Sequence, residues 1–357
     1  MTTIKDIAKE ANVSSGTVDR VLHNRGGVSK KTSERIKDIL KKKNFKINQI
    51  ASSLAMKKHL SLATLIPSYD DQNVFWKSPA SGIQKASQEV NANGVEINNF
   101  SFDQFDPKNY IETFNKLIDT NPDAVVMAPI FIKETSIIIK LLNEKNIPFI
   151  FLNINQKGYN NLCYIGQKSF EGGSLAGQLL NLCTRADDEL LIIQTRKNLD
   201  DYRSFSQRGK GFVDYYKKNN IIRKIHQIQF DGLKDEAKVK IKIDSFLKSN
   251  KKIKGIVVPS SRASNIIELI HPDIKANIEV VGFDTTPKNI SALRKGQITF
   301  LISQKSFNQG YKSIITMVNY LVHKVIPDPE IPTPLEIVTK ENVEFIEYDM
   351  RRYDSKL

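Results

Sequence analysis

From Leu60 onward the chain alternates short apolar runs with segments of helical period, and this alternation restricts the fold more than any other feature. Ten runs read as strands: LSLATLIP, VEINNF, DAVVMAP, PFIFLNI, CYIG, ELLIIQT, KIHQIQF, GIVVPS, IEVVGFD and ITFLIS. Near-continuous apolar runs suit strands buried on both faces, and helical stretches between them suit parallel sheets flanked by helices. Ten strands over roughly 285 residues exceed one compact α/β domain, so two doubly wound parallel-sheet lobes are expected. Ligands of such sheets lie outside the carboxyl ends of the strands, and two lobes would enclose one cleft.

The first sixty residues have a different character. They hold 14 lysines and arginines against five acidic residues, which is nine of the chain's net +14. A basic excess concentrated on one small segment is the footprint expected where phosphates are neutralised. Ile4, Ile7, Ala8 and Ala11 recur at helical spacing after Thr3, and Asp6 sits in the first turn. Asn12 tolerates the left-handed conformation that ends a helix, and Ser14 can cap the next one. In that second helix Val18, Val21 and Leu22 share one side, while Gly16, Asp19, Arg20 and His23 share the other. Ser29 caps a third helix whose buried face is Ile36, Ile39 and Leu40. A three-residue turn between the first two helices makes a helix-turn-helix unit, an all-α headpiece whose second helix enters the major groove of DNA. Small residues at Ser15, Gly16 and Thr17 permit close approach to bases and phosphates. Arg20 can reach guanine acceptors, and His23 and Asn24 follow toward the end of the same helix. A three-helix bundle that packs on another protein surface is the alternative.

The stretches TIKDIAKEANVSSGTVDRVLHN, VSKKTSERI and NQIASSLA resemble the lactose-repressor (LacI/GalR) family of bacterial transcription regulators. Two positions depart from the family pattern: Asp19 stands where serine is usual, and Ile47 where proline is usual. The resemblance implies that residues 48–56 form a hinge helix on DNA, with Leu54 wedged into a minor-groove base step and Ala51 beside it. Alone, so short a helix does not hold in water.

The remainder resembles the type I periplasmic sugar-binding proteins, through NVFWKSPASGIQKA, SQRGKGF, VVGFDTTP and ISQKSFNQG in order. That resemblance implies crossovers between lobes near Gln167, Gln304 and Pro334. It assigns Phe75 and Trp76 as platforms for a sugar ring, Arg208 as a forked donor and Asp284 as an acceptor from two hydroxyls. Phe283 lies beside Asp284, and Gln304 both donates and accepts at the hinge. Asn153 and Ser260 complete the expected effector set, at places where sugar binders often carry aspartate and asparagine. With Ile154 in the place of a common arginine and Pro129 in the place of a polar side chain, fewer charged groups are expected on the ligand. For Asp284 the bland alternative is a cap on the helix that follows.

The expected organisation is a headpiece over 1–47, a hinge and linker over 48–59, a two-lobed effector and dimerisation domain over 60–347, and a tail over 348–357. Lobe 1 comprises about 60–166 and 305–334, and lobe 2 about 167–304 and 335–347. No GxGxxG, phosphate-loop or GxSxG motif appears, and the five histidines and two cysteines lack metal-ligand spacing, so an enzyme, a cofactor and a metal are not expected. The charged first residues lack a signal-peptide core, and no apolar run reaches membrane length, so a cytoplasmic protein without a membrane partner is expected. The expected partners are a double-stranded DNA operator, a sugar or polyol effector and a second copy of the chain, forming a homodimeric repressor. A solute-binding protein of a transport system is the alternative. Leu54→Ala should weaken binding to a specific duplex more than to random duplex, as titrations against both would show; equal losses would reduce the segment to a plain linker.

Overall fold

The computed structural model describes residues 4–22, 26–43, 59–70, 73–91, 94–196, 203–233 and 235–346. The headpiece consists of α1 (Ile4–Glu10), α2 (Ser15–Leu22) and α3 (Lys30–Lys42) around a core of Ile7, Ala8, Ala11, Val18, Val21, Ile36 and Ile39. Asn12 has φ 48°, the left-handed turn that ends α1.

The body begins with β1 (Leu60–Pro67), α4 (Lys77–Asn91), β2 (Val95–Phe102), α5 (Pro107–Ile118), β3 (Ala124–Met127), α6 (Ile132–Glu144), β4 (Phe149–Leu152) and β5 (Cys163–Gly166). It continues with α7 (Ser169–Cys183), β6 (Glu189–Gln194), α8 (Arg203–Lys218), β7 (Ile225–Gln229), α9 (Glu236–Ser249) and β8 (Ile253–Val257). Then come α10 (Ala263–Leu269), α11 (Pro272–Lys275), β9 (Glu279–Phe283), α12 (Pro287–Arg294), β10 (Phe300–Ser303) and α13 (Ser306–His323). Two short strands, β11 (Glu330–Pro332) and β12 (Glu336–Val338), complete it.

The strands form two six-stranded sheets, ordered β11-β5-β4-β3-β1-β2 and β12-β10-β9-β8-β6-β7. Among the described residues every pairing is parallel except β10 with β12, an antiparallel edge. The central strands β3, β4 and β5 are buried at every residue, which explains their unbroken apolar sequence. The edge strand β2 alternates between cover and exposure. Among the described residues, no helix is long and apolar enough to cross a membrane.

The chain passes between sheets three times, after β5, after β10 and between β11 and β12. The two sheets have the same order once β1–β5 and β11 are matched with β6–β10 and β12, so the body is an internal duplication. The residues after the equivalent strands β5 and β10 even repeat, as Gln167-Lys168-Ser169-Phe170 and Gln304-Lys305-Ser306-Phe307. Helix pairs at the two crossovers are matched as well. A Cβ on Gly173 in α7 would overlap the carbonyl oxygen of Arg208 in α8, and one on Gly310 in α13 would overlap that of Pro79 in α4. These helices approach backbone to backbone, which only glycine permits, and each crossover helix is thereby fixed to the helix of the lobe it enters.

Gly173→Ala therefore forces α7 and α8 apart, and should destabilise the folded chain by about 1–3 kcal/mol in urea unfolding. An unchanged midpoint would mean that the pair has slack.

Candidate effector cleft and DNA-facing helix

In the headpiece, Ser14 Oγ accepts from the Thr17 N–H at 3.1 Å and shares a 2.9 Å hydrogen bond with Thr17 Oγ1. One hydroxyl thus closes the turn and caps α2. Ser29 does the same for α3, accepting from the Thr32 N–H at 3.2 Å and sharing 2.8 Å with Thr32 Oγ1. With Val18 and Val21 turned into the core, Ser15, Gly16 and Arg20 are exposed and Thr17 is half-buried. The start of α2 accordingly presents small groups and one guanidinium to solvent. His23, Asn24, Ala51 and Leu54 lie outside the described residues, as do the side chains of Asp19 and Leu22.

Phe75, Trp76, Asn153, Arg208, Ser260, Asp284 and Gln304 all line one cleft between the lobes, open to solvent, with a volume of about 720 Å³ that includes part of that solvent. Asn153 and Asp284 are equivalent in the duplication, each the first residue beyond its strand, with φ of 65° and 70°. Asn and Asp tolerate this left-handed conformation better than other side chains. Gln304 joins them: its Oε1 accepts from Asn153 Nδ2 at 3.1 Å, and its Nε2 donates to Asp284 Oδ1 at 2.7 Å. Gln309 braces the same group, accepting from Asn153 Nδ2 at 2.8 Å and donating to the Gln304 carbonyl at 2.9 Å and to Thr333 Oγ1 at 3.2 Å.

Arg208 is 3% exposed. Its Nη1 donates to the Pro259 carbonyl at 2.7 Å, and its guanidinium lies 4.2 Å from the centre of the Phe283 ring. With the Gln167 amide oxygen turned toward it, that oxygen accepts from Arg208 Nε at 2.8 Å and from Nη2. Gln167, Gln304 and Thr333 come from the three crossovers, so each crossover contributes a buried polar side chain, and that of Gln304 lines the cleft. Burial lowers the Arg208 pKa, against the attraction of Asp284. Burial also raises the Asp284 pKa, against the Arg208 charge and the Gln304 donor.

Two expectations need correction, and the alternative reading of Asp284 falls. Phe283, expected beside the ligand, is fully buried and stacks beneath Arg208 outside the cleft wall. The helix after Asp284 is capped by Thr286, whose Oγ1 accepts from the Asn289 N–H at 3.3 Å, so Asp284 is not the cap. The cleft also holds more charge than Ile154 and Asn153 suggested, because Arg196 and Arg262 line it. The only available hint of those two was an arginine shortly after an apolar strand.

Sequence reasoning also missed Asn289. Its Oδ1 accepts from the Ser264 N–H at 2.9 Å, and its Nδ2 reaches the carbonyls of Ser261, Phe283 and Asp284 at 2.9–3.0 Å. It is completely buried and ties the loop after β8 to the loop after β9, which sets the position of Asp284.

A helix-turn-helix headpiece ahead of a two-lobed receptor, with a polar cleft at a triple crossover, defines the class of a ligand-receiving regulatory protein. The chain belongs to the periplasmic binding protein domain family, whose model matches residues 63–324, and its residues 3–48 match the model of the lacI family of bacterial regulatory proteins. It is 23% identical over 345 residues to the HTH-type transcriptional regulator RegA of Clostridium saccharobutylicum, covering 96% of this chain and 99% of that one. Catabolite control protein A of Staphylococcus xylosus is 29% identical over 155 residues, a match spanning 43% of this chain and 45% of that protein's length. A crystal structure from Bacteroides fragilis described as a LacI transcriptional regulator superposes with a TM-score of 0.73 at 24% identity, covering 81% of this chain and 99% of that one.

Asp284→Asn keeps an acceptor for Gln304 and removes a buried charge. Because the folded-state pKa is raised above the ordinary 3.8, the folded chain holds that proton more tightly than the unfolded one. Stability therefore falls as pH rises from about 4 through the folded value. The variant should unfold at pH 7 no earlier than the native chain, and any advantage should vanish near pH 4. Effector binding should weaken by about 1.5–3 kcal/mol, measured by calorimetry.

Proposed function

We propose that the chain is a sequence-specific DNA-binding transcription regulator, a repressor, whose operator affinity is set by a sugar or related small polar molecule bound between the lobes. Two headpieces in a homodimer would read a pseudo-palindromic site, with half-site spacing fixed by the dimer axis. Ser15, Gly16, Thr17 and Arg20 at the start of α2, with His23 and Asn24 beyond, are the residues assigned to the major groove. Ala51 and Leu54 are assigned to the minor groove. Such a regulator acts in the cytoplasm, and binding with release accounts for its whole activity, with no catalytic step.

One observation carries this reading: a hinge-centred polar cleft, with Gln304 bridging the two lobes, stands in the same chain as an exposed, capped helix start. The cleft floor suits paired hydroxyls, since Asp284 accepts, Asn153 and Gln304 both donate and accept, and Trp76 supplies an aromatic wall. Trp76 packs edge-on against Phe75 at 5.3 Å, and burial of the Trp76 indole keeps it part of the wall. A ligand that favours one lobe arrangement shifts the equilibrium between arrangements by its difference in affinity, and DNA responds through the same equilibrium.

Selection of genomic duplexes by the full chain, with and without candidate sugars, tests the proposal. A preferred duplex whose retention changes with a ligand supports it, and absence of any preference at low salt overturns it. Arg20→Ala should weaken the preferred duplex by about 1–3 kcal/mol and relax its base preference. Gly16→Ala gives a sharper test, because a Cβ there meets only Ser14 Oγ at 3.8 Å. It should stabilise the headpiece by up to about 1 kcal/mol while weakening DNA binding; stronger DNA binding would remove α2 from the groove.

A further inference from the structure

We infer that the pole of lobe 2 turned away from the cleft docks an acidic protein segment that also carries apolar side chains. The surface is built from the ends of α7 and α8 and the amino ends of β6, β7 and β8, and the inference is independent of the effector reading. Residues 217–254 hold twelve lysines and arginines against four acidic residues, a net +8. The body from Leu60 on is only +5, so everything in it outside this segment is net −3. Concentrated like charge destabilises a compact state by self-repulsion, which a counter-charge from outside relieves.

The strand starts gather this charge. The Glu189 N–H donates to the Lys252 carbonyl at 2.8 Å and the Leu190 N–H to the Lys224 carbonyl at 3.0 Å, so lysines ahead of β8 and β7 flank the start of β6. Lys217, Lys218, Lys248, Lys251 and Lys252 are exposed, and none forms an ion pair among the described residues. The last turn of α8 favours Lys217 and Lys218 through its dipole, but Lys251 and Lys252 belong to no helix. Of the carboxylates at the start of β6, Asp188 accepts from the Arg185 N–H at 2.7 Å, and Glu189 is held by His226 at 2.6 Å and Lys224 at 3.3 Å. That leaves Asp187 against five lysines.

Two apolar side chains stand at the same place: Leu182 is 75% exposed and Ile222 96%. Arg223 joins their segments, donating to Asn181 Oδ1 at 3.2 Å and to the carbonyls of Thr184 and Asp188 at 3.3 and 3.0 Å. Leu182 and Ile222 each adjoin a partner in that bond, so both come to this end of the lobe. A duplex backbone offers nothing to an exposed leucine and isoleucine, and a second copy of this pole would bring like charge. Apolar groups set among cations instead match a protein surface whose apolar side chains stand among carboxylates.

The test uses the full chain and three labelled peptides, read by fluorescence anisotropy. One sets leucines at helical spacing among glutamates, the second has glutamine for every glutamate, and the third has serine for every leucine. The first should bind at least about tenfold tighter than either of the others, and its affinity should fall with added salt. Lys251→Gln with Lys252→Gln, and separately Ile222→Ser, should each weaken it by about three- to tenfold, with the melting temperature and the binding of random-sequence duplex unchanged. Lys30→Gln with Lys31→Gln, on the basic headpiece, should leave peptide binding as it is. Failure of the first peptide to bind, or binding that ignores the pole variants and is lost with the headpiece pair, would overturn the inference. Pole variants that weaken random duplex or phosphatidylserine vesicles as much as the peptide would overturn it too, and make the pole a site for nucleic acid or for a membrane surface.

Discussion

A single carboxamide sits where both lobes end. Gln304 accepts from Asn153 on one lobe and donates to Asp284 on the other. All three side chains are buried, and so are Gln167 and Gln309 around them. A net hydrogen bond of this kind contributes about 1 kcal/mol, whereas a buried polar group left without a partner costs about 1–3 kcal/mol. The lobes are therefore held at small net gain but resist any separation that leaves an amide unsatisfied. A ligand with hydroxyls can replace those partners as the lobes move, and that exchange makes the hinge responsive to a polar molecule.

The duplication explains why the hinge has this form. Equivalent strands β4 and β9 end in left-handed residues, and equivalent strands β5 and β10 lead into the two glutamines of the repeated QKSF segment. Gln304 spans the carboxyl ends, while Gln167 holds Arg208 from below. Two copies of one motif have thus taken different tasks, one bridging lobes and the other orienting a buried cation. The close approaches of Gly173 to α8 and of Gly310 to α4 seat the helices that follow these two segments against the lobes they enter.

Much of this was legible from residue pattern. The strand runs were readable because fully buried parallel strands admit few polar residues. Ser14 and Ser29 were readable as caps because each hydroxyl stands three residues before the N–H it accepts from. β11 and β12 were not legible: three residues each, half exposed and one containing Pro332, they carry too little apolar signal. Arg196, Arg262 and Asn289 escaped for another reason. Their significance comes from which strands lie side by side, and neighbours in the sheet are far apart in sequence. Phe283 misled because adjacency along a strand reverses the face: Asp284 turns into the cleft, while Phe283 packs beneath it.

The asymmetry between the lobes follows from the same geometry. Where one lobe places Asn153, the other places Asp284, and the buried charge is met by Arg208 from its own lobe. Among the described residues lining the cleft, lobe 1 contributes Phe75, Trp76 and the Asn153 amide, and the charged side chains, Arg196, Arg208, Arg262 and Asp284, belong to lobe 2.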